Sequence, residues 1–312
     1  MVTEATNPTV SVIIPTYNRA HMVDRAIRSV LSQTYQDFEL IVADDASTDN
    51  TEEVVEGFDD ERIRYICHKE NSGTSVAPRN TGIKAARGEY IAFLDSDDEW
   101  LPGKLEKQMG KFNSVSQDVG LIYSGFVRVD DKTGETRFER MPDRSERGDV
   151  FKILLKGDIV GPLTAIVRKE CFEKAGTFNE EFRSNQDLDM WLRISRYYKF
   201  DFVPEILARY YIHDSHGSRN IERQIQGLLL FMNKYQKYMS KTVVSSRLGY
   251  LGMLLAYQGK FKEASIYFKQ AVYNKPWDIY NYIRFLLCKF APGIYQARLM
   301  QLSSYKESVK YK

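Results

Sequence analysis

Asp95, Ser96, Asp97, Asp98 and Glu99 put four carboxylates into five residues, directly after the apolar run Tyr90-Ile91-Ala92-Phe93-Leu94. Like charges at that spacing repel one another. A divalent cation would relieve the repulsion, and a hard cation such as Mg2+ takes oxygen ligands. A solvated acidic turn or the N-terminus of a helix, where aspartate is common, would look the same. Two further polar segments follow apolar runs. Thr16-Tyr17-Asn18-Arg19 comes after Val10 to Ile14 and Pro15, and Asp44-Asp45 comes after Phe38 to Ala43. Asp187 stands at the start of an amphipathic stretch. It reads either as a carboxylate favoured by the helix dipole or as a general base. His213 and His216 lie in a polar loop, either as surface histidines or as groups brought in by loop closure.

The elements that must hold these residues alternate. Val10 to Ile14 and Phe38 to Ala43 read as buried strands, Ile63 to Cys67 as a third and Tyr90 to Leu94 as a fourth. Val23, Ala26, Ile27, Val30 and Leu31 fall at helical spacing between the first two, and Val76 to Ala86 precedes the fourth. Strand and helix alternating at this pace imply βαβ units and a parallel sheet. In open sheets of this kind ligands bind beyond the carboxyl ends of the strands. Three of those ends are polar here, and their convergence on one edge favours the metal reading of Asp95–Asp98.

Beyond Pro102 the pattern changes. A helix runs to Phe112, and Val119 to Val129 and Thr136 to Arg140 flank a hairpin turn at Asp130–Gly134. Residues 149–176 suggest helix, strand (Thr164–Val167) and helix. Asn185 to Tyr198 is amphipathic through Leu188, Trp191, Leu192 and Ile194, and Phe200–Val203 and Ile206–Tyr211 read as two short strands. After residue 217 the chain is helical. Leu248, Leu251, Gly252, Leu255, Gly259, Ala264, Phe268, Ala271 and Pro276 match one tetratricopeptide-like unit. One unit is fewer than the roughly three a solenoid needs. The hairpin is therefore expected to pack on the catalytic body or on another subunit, making a homo-oligomer one reading.

At 312 residues, with 43% hydrophobic and 28% charged residues, the chain is an ordinary globular sequence long enough for about two domains. Its net charge of +2 hides an asymmetry. From Gly217 on, 16 Lys and Arg face four Asp and Glu, a net of +12; the rest carries −10. The basic third suits an anionic partner such as a membrane surface, or is a solvated helical face. Nothing in it resembles a nucleic-acid-binding motif. Ile279 to Lys312 mixes aromatic and basic residues as an interfacial helix does; closing the hairpin's hydrophobic edge is the alternative. Cys67, Cys171 and Cys288 form no CxxC, which argues against zinc or a disulfide framework and suits a reducing compartment. The N-terminal residues lack signal-peptide features, and no run reaches the ~18 apolar residues of a spanning helix.

Four segments in order now identify a resemblance: VSVIIPTYNR, FELIVADDASTDNT, NSGTSVAPRNTGIKAARGEYIAFLDSDD and NQDLDMWLR. Together they resemble family 2 of the inverting glycosyltransferases, over roughly the first two-thirds of the chain. The resemblance implies an α/β GT-A fold, a Rossmann-like mixed sheet flanked by helices. To it the sequence adds the tetratricopeptide-like helical extension. The expected organisation is a nucleotide-sugar-binding half (residues 1–101), an acceptor-binding half (102–216) and a helical region (217–312).

The resemblance also implies roles. Pro15, Thr16, Tyr17 and Arg19 would border the nucleotide, with Asp45 or Asp44 accepting from the base and Arg79 near the diphosphate, which His213 and His216 would reach from a closing loop if they are not plain surface histidines. Asp95-Ser96-Asp97 would be the DxD motif, Asp95 near the ribose and Asp97 on Mn2+ or Mg2+, with Asp98 (and Asp95) as further candidate metal ligands. Asp187 would be the catalytic base, although Gln186 precedes it where the family usually has Glu. Arg193 falls where the family has an Arg. The expected donor is a nucleotide sugar, UDP-linked by default, and the acceptor a glycan or lipid-linked hydroxyl. The expected location is cytoplasmic, peripheral to the inner face of the membrane. A sugar nucleotidyltransferase would need a Gly-rich, Lys-bearing phosphate loop that is missing. A non-catalytic scaffold acting through the helical tail would not need the carboxylates at 95, 97 and 187.

Overall fold

The computed structural model describes residues 7–213 and 220–299. The chain divides into two compact units: residues 1–180 with 186–215, and residues 181–185 with 216–312.

The first unit is built on one nine-stranded mixed sheet. β1 (Val10–Thr16), α1 (Ala20–Leu31), β2 (Phe38–Asp44), α2 (Thr51–Glu56), β3 (Ile63–Cys67), α3 (Val76–Ala85) and β4 (Tyr90–Phe93) alternate as expected. β1 pairs in parallel with β2 and with β4, and β2 pairs in parallel with β3. Val10, Val12, Ile13, Ile14, Leu40, Ile41, Val42, Ile91, Ala92 and Phe93 are all 0% exposed. These strands read as continuous apolar runs because helices cover both their faces. α3 lies very close to β1: a Cβ on Gly82 would stand 2.5 Å from a methyl of Ile13, so only glycine fits there. That close approach fixes where Arg79, one turn earlier on α3, can reach.

β5 (Glu99–Trp100) and α4 (Lys104–Phe112) follow, then β6 (Val119–Asp130), β7 (Thr136–Arg140), α5 (Phe151–Leu154), β8 (Ile166–Arg168), α6 (Lys169–Ala175), α7 (Gln186–Ile194) and β9 (Lys199–Ile212). The sheet order is β3-β2-β1-β4-β8-β6-β9-β5, with β7 beside β6. β8 joins β4 antiparallel, which makes the sheet mixed. Three expectations change. The strand read at Thr164–Val167 begins at Ile166, because Pro162–Thr164 form a 3-10 turn. The two strands read in 200–211 are one, β9. Its pairing with β6 jumps from Ser124–Val203 to Gly125–Ile206, leaving Pro204 and Glu205 as a bulge. Proline has no N–H to give the ladder, so the strand bends there instead of ending. β5, unread in the sequence because it is only two residues, pairs antiparallel with β9.

The second unit is helical: α8 (Ile221–Tyr235), α9 (Lys241–Tyr257), α10 (Phe261–Asn274) and α11 (Ile279–Phe290). Ala264, Phe268 and Ala271 are 0% exposed. A Cβ on Gly252 of α9 would stand 2.9 Å from the Phe268 ring of α10, so the small residue sets the spacing of this helical hairpin. Asn220 and Ser240 cap α8 and α9 by accepting from the N–H groups of Arg223 and Val243.

Candidate active site

The parallel register brings three polar strand ends to one edge. Thr16 pairs with Asp44, Ile13 with Phe93, and the Leu94 N–H donates to the Ile13 carbonyl at 3.0 Å. Asp95 therefore leaves the sheet beside the ends of β1 and β2. Thr16 is buried with its hydroxyl unpartnered, Pro15 is buried, and Tyr17 turns outward, 43% exposed. Arg19 stands at the N-cap of α1, its N–H donating to the Thr51 hydroxyl.

Asp44 and Asp45 are held by neighbours. One oxygen of Asp44 accepts from the Ser47 N–H (2.9 Å) and hydroxyl (2.7 Å), the other from the Tyr65 hydroxyl (2.6 Å). Burial and the Asp44 charge push the Tyr65 phenol above its ordinary value. Asp45 faces His68 Nδ1 at 2.9 Å and accepts from the N–H and hydroxyl of Ser72. His68 Nε2 lies 2.8 Å from the Thr81 hydroxyl. His68 and Tyr65 were missed in the sequence. The signal was there: β3 is a fourth parallel strand, and His68 follows its carboxyl end.

Asp95 and Asp187 meet through Arg79. Its Nη2 donates to Asp95 at 2.5 Å and its Nη1 to Asp187 at 2.9 Å. Burial opposes the guanidinium charge, but the carboxylates of Asp95 and Asp187 outweigh it and hold Arg79 above its ordinary value. Asp187, in the first turn of α7, is pushed up to about 6, by burial against the pull of Arg79 and with a push from Asp95. α7 itself is fastened by Arg193. That side chain pairs with buried Asp189 at 2.9 Å and donates to the Thr177 carbonyl at 2.7 Å. Arg193 is thus a clamp on the helix that presents Asp187.

Asp97 and Asp98 point different ways. Asp97 Oδ2 lies 2.9 Å from His213 Nε2, both side chains buried. Asp98 is 0% exposed; one oxygen accepts from the Tyr211 N–H at 3.0 Å and the other has no partner. Burial, then the charges of Asp97 and Asp95, raise the Asp98 carboxyl well above its usual range. Ser96 between them is buried. Arg25 of α1 ties this loop down. It donates to the Asp97 carbonyl (2.6 Å) and to Asp131 (2.7 Å), and its guanidinium lies 3.6 Å from the centre of the Tyr211 ring. Arg25 and Tyr211 were also missed. No local pattern marks an arginine on the polar side of α1 as a partner for residue 97. His216 lies outside the described residues.

Among the described residues no three His, Cys, Asp or Glu side chains converge as a closed metal site. The donors still fit a hard divalent cation. One carboxylate and one imidazole converge at Asp97 and His213, and Mg2+-type ions take one or two protein ligands and complete their shell with phosphate oxygens and water. Chemically the edge offers an aromatic face, a buried arginine, a cation-capable pair and a carboxyl poised near neutrality, the parts that activation of a hydroxyl toward a diphosphate-linked carbon requires.

Residues 11–176 match the family described as Glycosyl transferase family 2. The putative teichuronic acid biosynthesis glycosyltransferase TuaG of Bacillus subtilis is 36% identical over 190 residues, which is 60% of this chain and 72% of that one. Longer curated relatives match as well; of three from Rickettsia species the chain spans only 36%, 35% and 31% of their length. Among solved structures, S. aureus TarS in complex with UDP-GlcNAc superposes with TM-score 0.59 at 17% identity, covering 85% of this chain and 89% of that one. A mannosyltransferase from Pyrobaculum calidifontis, in complex with GDP-Man and Mn2+, superposes with TM-score 0.55 at 18% identity, covering 94% and 88%. These two likenesses establish the GT-A fold. With that fold and a match across residues 11–176, the chain belongs to glycosyltransferase family 2.

Proposed function

We propose that the protein moves a sugar, with inversion, from a nucleoside diphosphate to a hydroxyl of a glycan or lipid-linked acceptor, with Mn2+ or Mg2+. The observation that carries this reading is the bridge of Arg79 between Asp95 and Asp187, which brings a strand-end carboxylate and the carboxylate of α7 to one point. In this reading Pro15, Thr16, Tyr17, Arg19, Asp44 and Asp45 border the nucleotide, and Asp95 and Ser96 approach the ribose. Arg79 orients the donor diphosphate and the base together. Residues 1–101 serve the donor and 102–216 the acceptor.

Asp97 and His213 would hold the cation, and Asp98, turned inward onto Tyr211, anchors the loop. Bound there, the cation would stabilise the negative charge that the departing diphosphate gains. Asp187, ionised above about pH 6, accepts the proton of the acceptor hydroxyl. One carboxylate acting as base suits in-line attack opposite the diphosphate, which inverts the anomeric carbon. The donors of the structural neighbours support a nucleotide sugar, UDP-linked first because TarS is bound to UDP-GlcNAc. The Mn2+ of the mannosyltransferase supports the cation. The name of the Bacillus relative supports a cell-envelope polysaccharide as product and hence a peripheral membrane location. No helix among the described residues is long and apolar enough to cross a membrane.

The test is release of free nucleoside diphosphate from a panel of sugar nucleotides with and without Mn2+, with the product anomer assigned by NMR. Turnover undiminished by chelation would remove the cation from the reading. Retention of anomeric configuration would remove the single displacement.

A further inference from the structure

Helix α11 turns its apolar row outward. Ile279, Ile283, Leu286 and Phe290 recur at i, i+4, i+7 and i+11, which lines them up along one side of a helix. A surface helix ordinarily buries such a row. Here Ile279 is 64%, Ile283 43% and Phe290 70% exposed. The inward side carries Asn281 and Cys288 instead. Asn281 is what sets this orientation: its amide fills the space over Gly249, where a Cβ would meet it at 2.6 Å, and its N–H donates to Asp278 at the helix start. A buried polar side chain docked on a glycine leaves Ile279, Ile283 and Phe290 of the apolar row exposed, with Leu286 partly covered.

The surroundings indicate what covers the row. Trp277 and Tyr280, at the entry to α11, are 77% and 72% exposed, and Tyr273 at the end of α10 is 85% exposed. Lys269, Lys289 and Arg284 lie on the same two helices, within a stretch carrying a net of +12 from Gly217 on. A second copy would bring like charge against like charge. A nucleic acid would satisfy the charge but has no use for a row of isoleucine and leucine. Hydrocarbon under an anionic surface satisfies both, with Trp and Tyr at headgroup level and Lys and Arg on the phosphates.

We propose that α11, with Trp277 and Tyr280 at its start, docks this chain onto an anionic lipid surface, the row Ile279–Ile283–Leu286–Phe290 entering the acyl boundary. The docking fits a lipid-linked acceptor but is read without any substrate, so it and the sugar-transfer reading fail separately.

The experiment is flotation of the full chain with phosphatidylcholine vesicles, with and without phosphatidylglycerol. Wild type is expected to float with the anionic vesicles and to be released by salt, as screening predicts. Ile283→Glu/Phe290→Glu should weaken binding by about tenfold or more, with thermal unfolding and sugar-nucleotide turnover unchanged. Lys269→Glu/Lys289→Glu leaves the row intact and should lose the preference for phosphatidylglycerol. Equal flotation by wild type and both variants overturns the proposal. So does wild type that ignores vesicles yet sediments as a dimer which Ile283→Glu/Phe290→Glu dissociates; the occupant is then a second copy.

Discussion

Two carboxylates, one buried at the start of the parallel strands and one half-buried on the helix beyond their carboxyl ends, are both paired with arginine, yet they titrate in opposite directions. Glu39, at the start of β2, accepts from the Ser11 hydroxyl (2.7 Å), the Arg87 N–H (2.7 Å) and the guanidinium groups of Arg64 (2.7 Å) and Arg87 (2.9 Å). Burial pushes it up, but four donors together hold it below its ordinary 4.5. Asp187, at the other end, has one guanidinium, itself shared with Asp95, and rises to about 6. The difference is the number of donors aimed at each charge. A saturated carboxylate is a structural tie, whereas an undersupplied one keeps a usable proton affinity near neutrality.

Substitution of the two carboxylates tests this most strongly. Asp187→Asn should lower kcat by about 10²–10⁴ while leaving nucleotide binding in place, as removal of a general base does; calorimetric titration with the nucleoside diphosphate beside a turnover assay measures both. Normal turnover would mean that the base lies elsewhere. Glu39→Gln should do the reverse. It sets an amide N–H against two donors that expect an oxygen, whichever oxygen is replaced, and should cost about 1–3 kcal/mol in urea unfolding with kcat of the folded protein unchanged.

pH separates the two ends next. Asp187 takes up its proton as pH falls through about 6, so kcat/KM should drop about tenfold per unit below that value. Glu39 has a folded-state value below the unfolded 4.5. Its stabilisation is therefore complete above 4.5 and fades only as pH falls through the folded value. Between the two windows the protein should remain folded and be inactive, visible as a flat circular-dichroism signal under a falling rate. Coincident loss of both would break the comparison. A smaller effect sharpens it. Removing the positive charge beside Asp187 with Arg79→Gln should move the acid limb of the rate profile upward by about one unit, because Arg79 holds Asp187 down.

Much of the polar edge of the sheet was legible in the sequence. The apolar runs before Thr16, Asp44 and Asp95, separated by helical spacings, require parallel strands, and parallel strands bring those residues to one edge. The GT-A sheet and the family follow from the same segments. Pair geometry was not legible. Asp97 and Asp98 are neighbours of identical chemistry, and only the meeting of their loop with Arg25, Tyr211 and His213 turns one toward an imidazole and the other inward. β9 read as two strands because its Pro204-Glu205 bulge looks like a break until β6 is seen to pair on both sides of it.

By itself, then, the sequence determined which residue types reach the edge of the sheet, because alternation of strand and helix is a local property of periodicity. Tertiary structure alone decided what each carboxyl does there. Its proton affinity depends on how many donors and charges arrive from distant positions in the chain, and no local pattern encodes that number. The same holds for α11. Its row at i, i+4, i+7 and i+11 is plain in the sequence, but that the row faces outward was decided by Asn281 docking against Gly249.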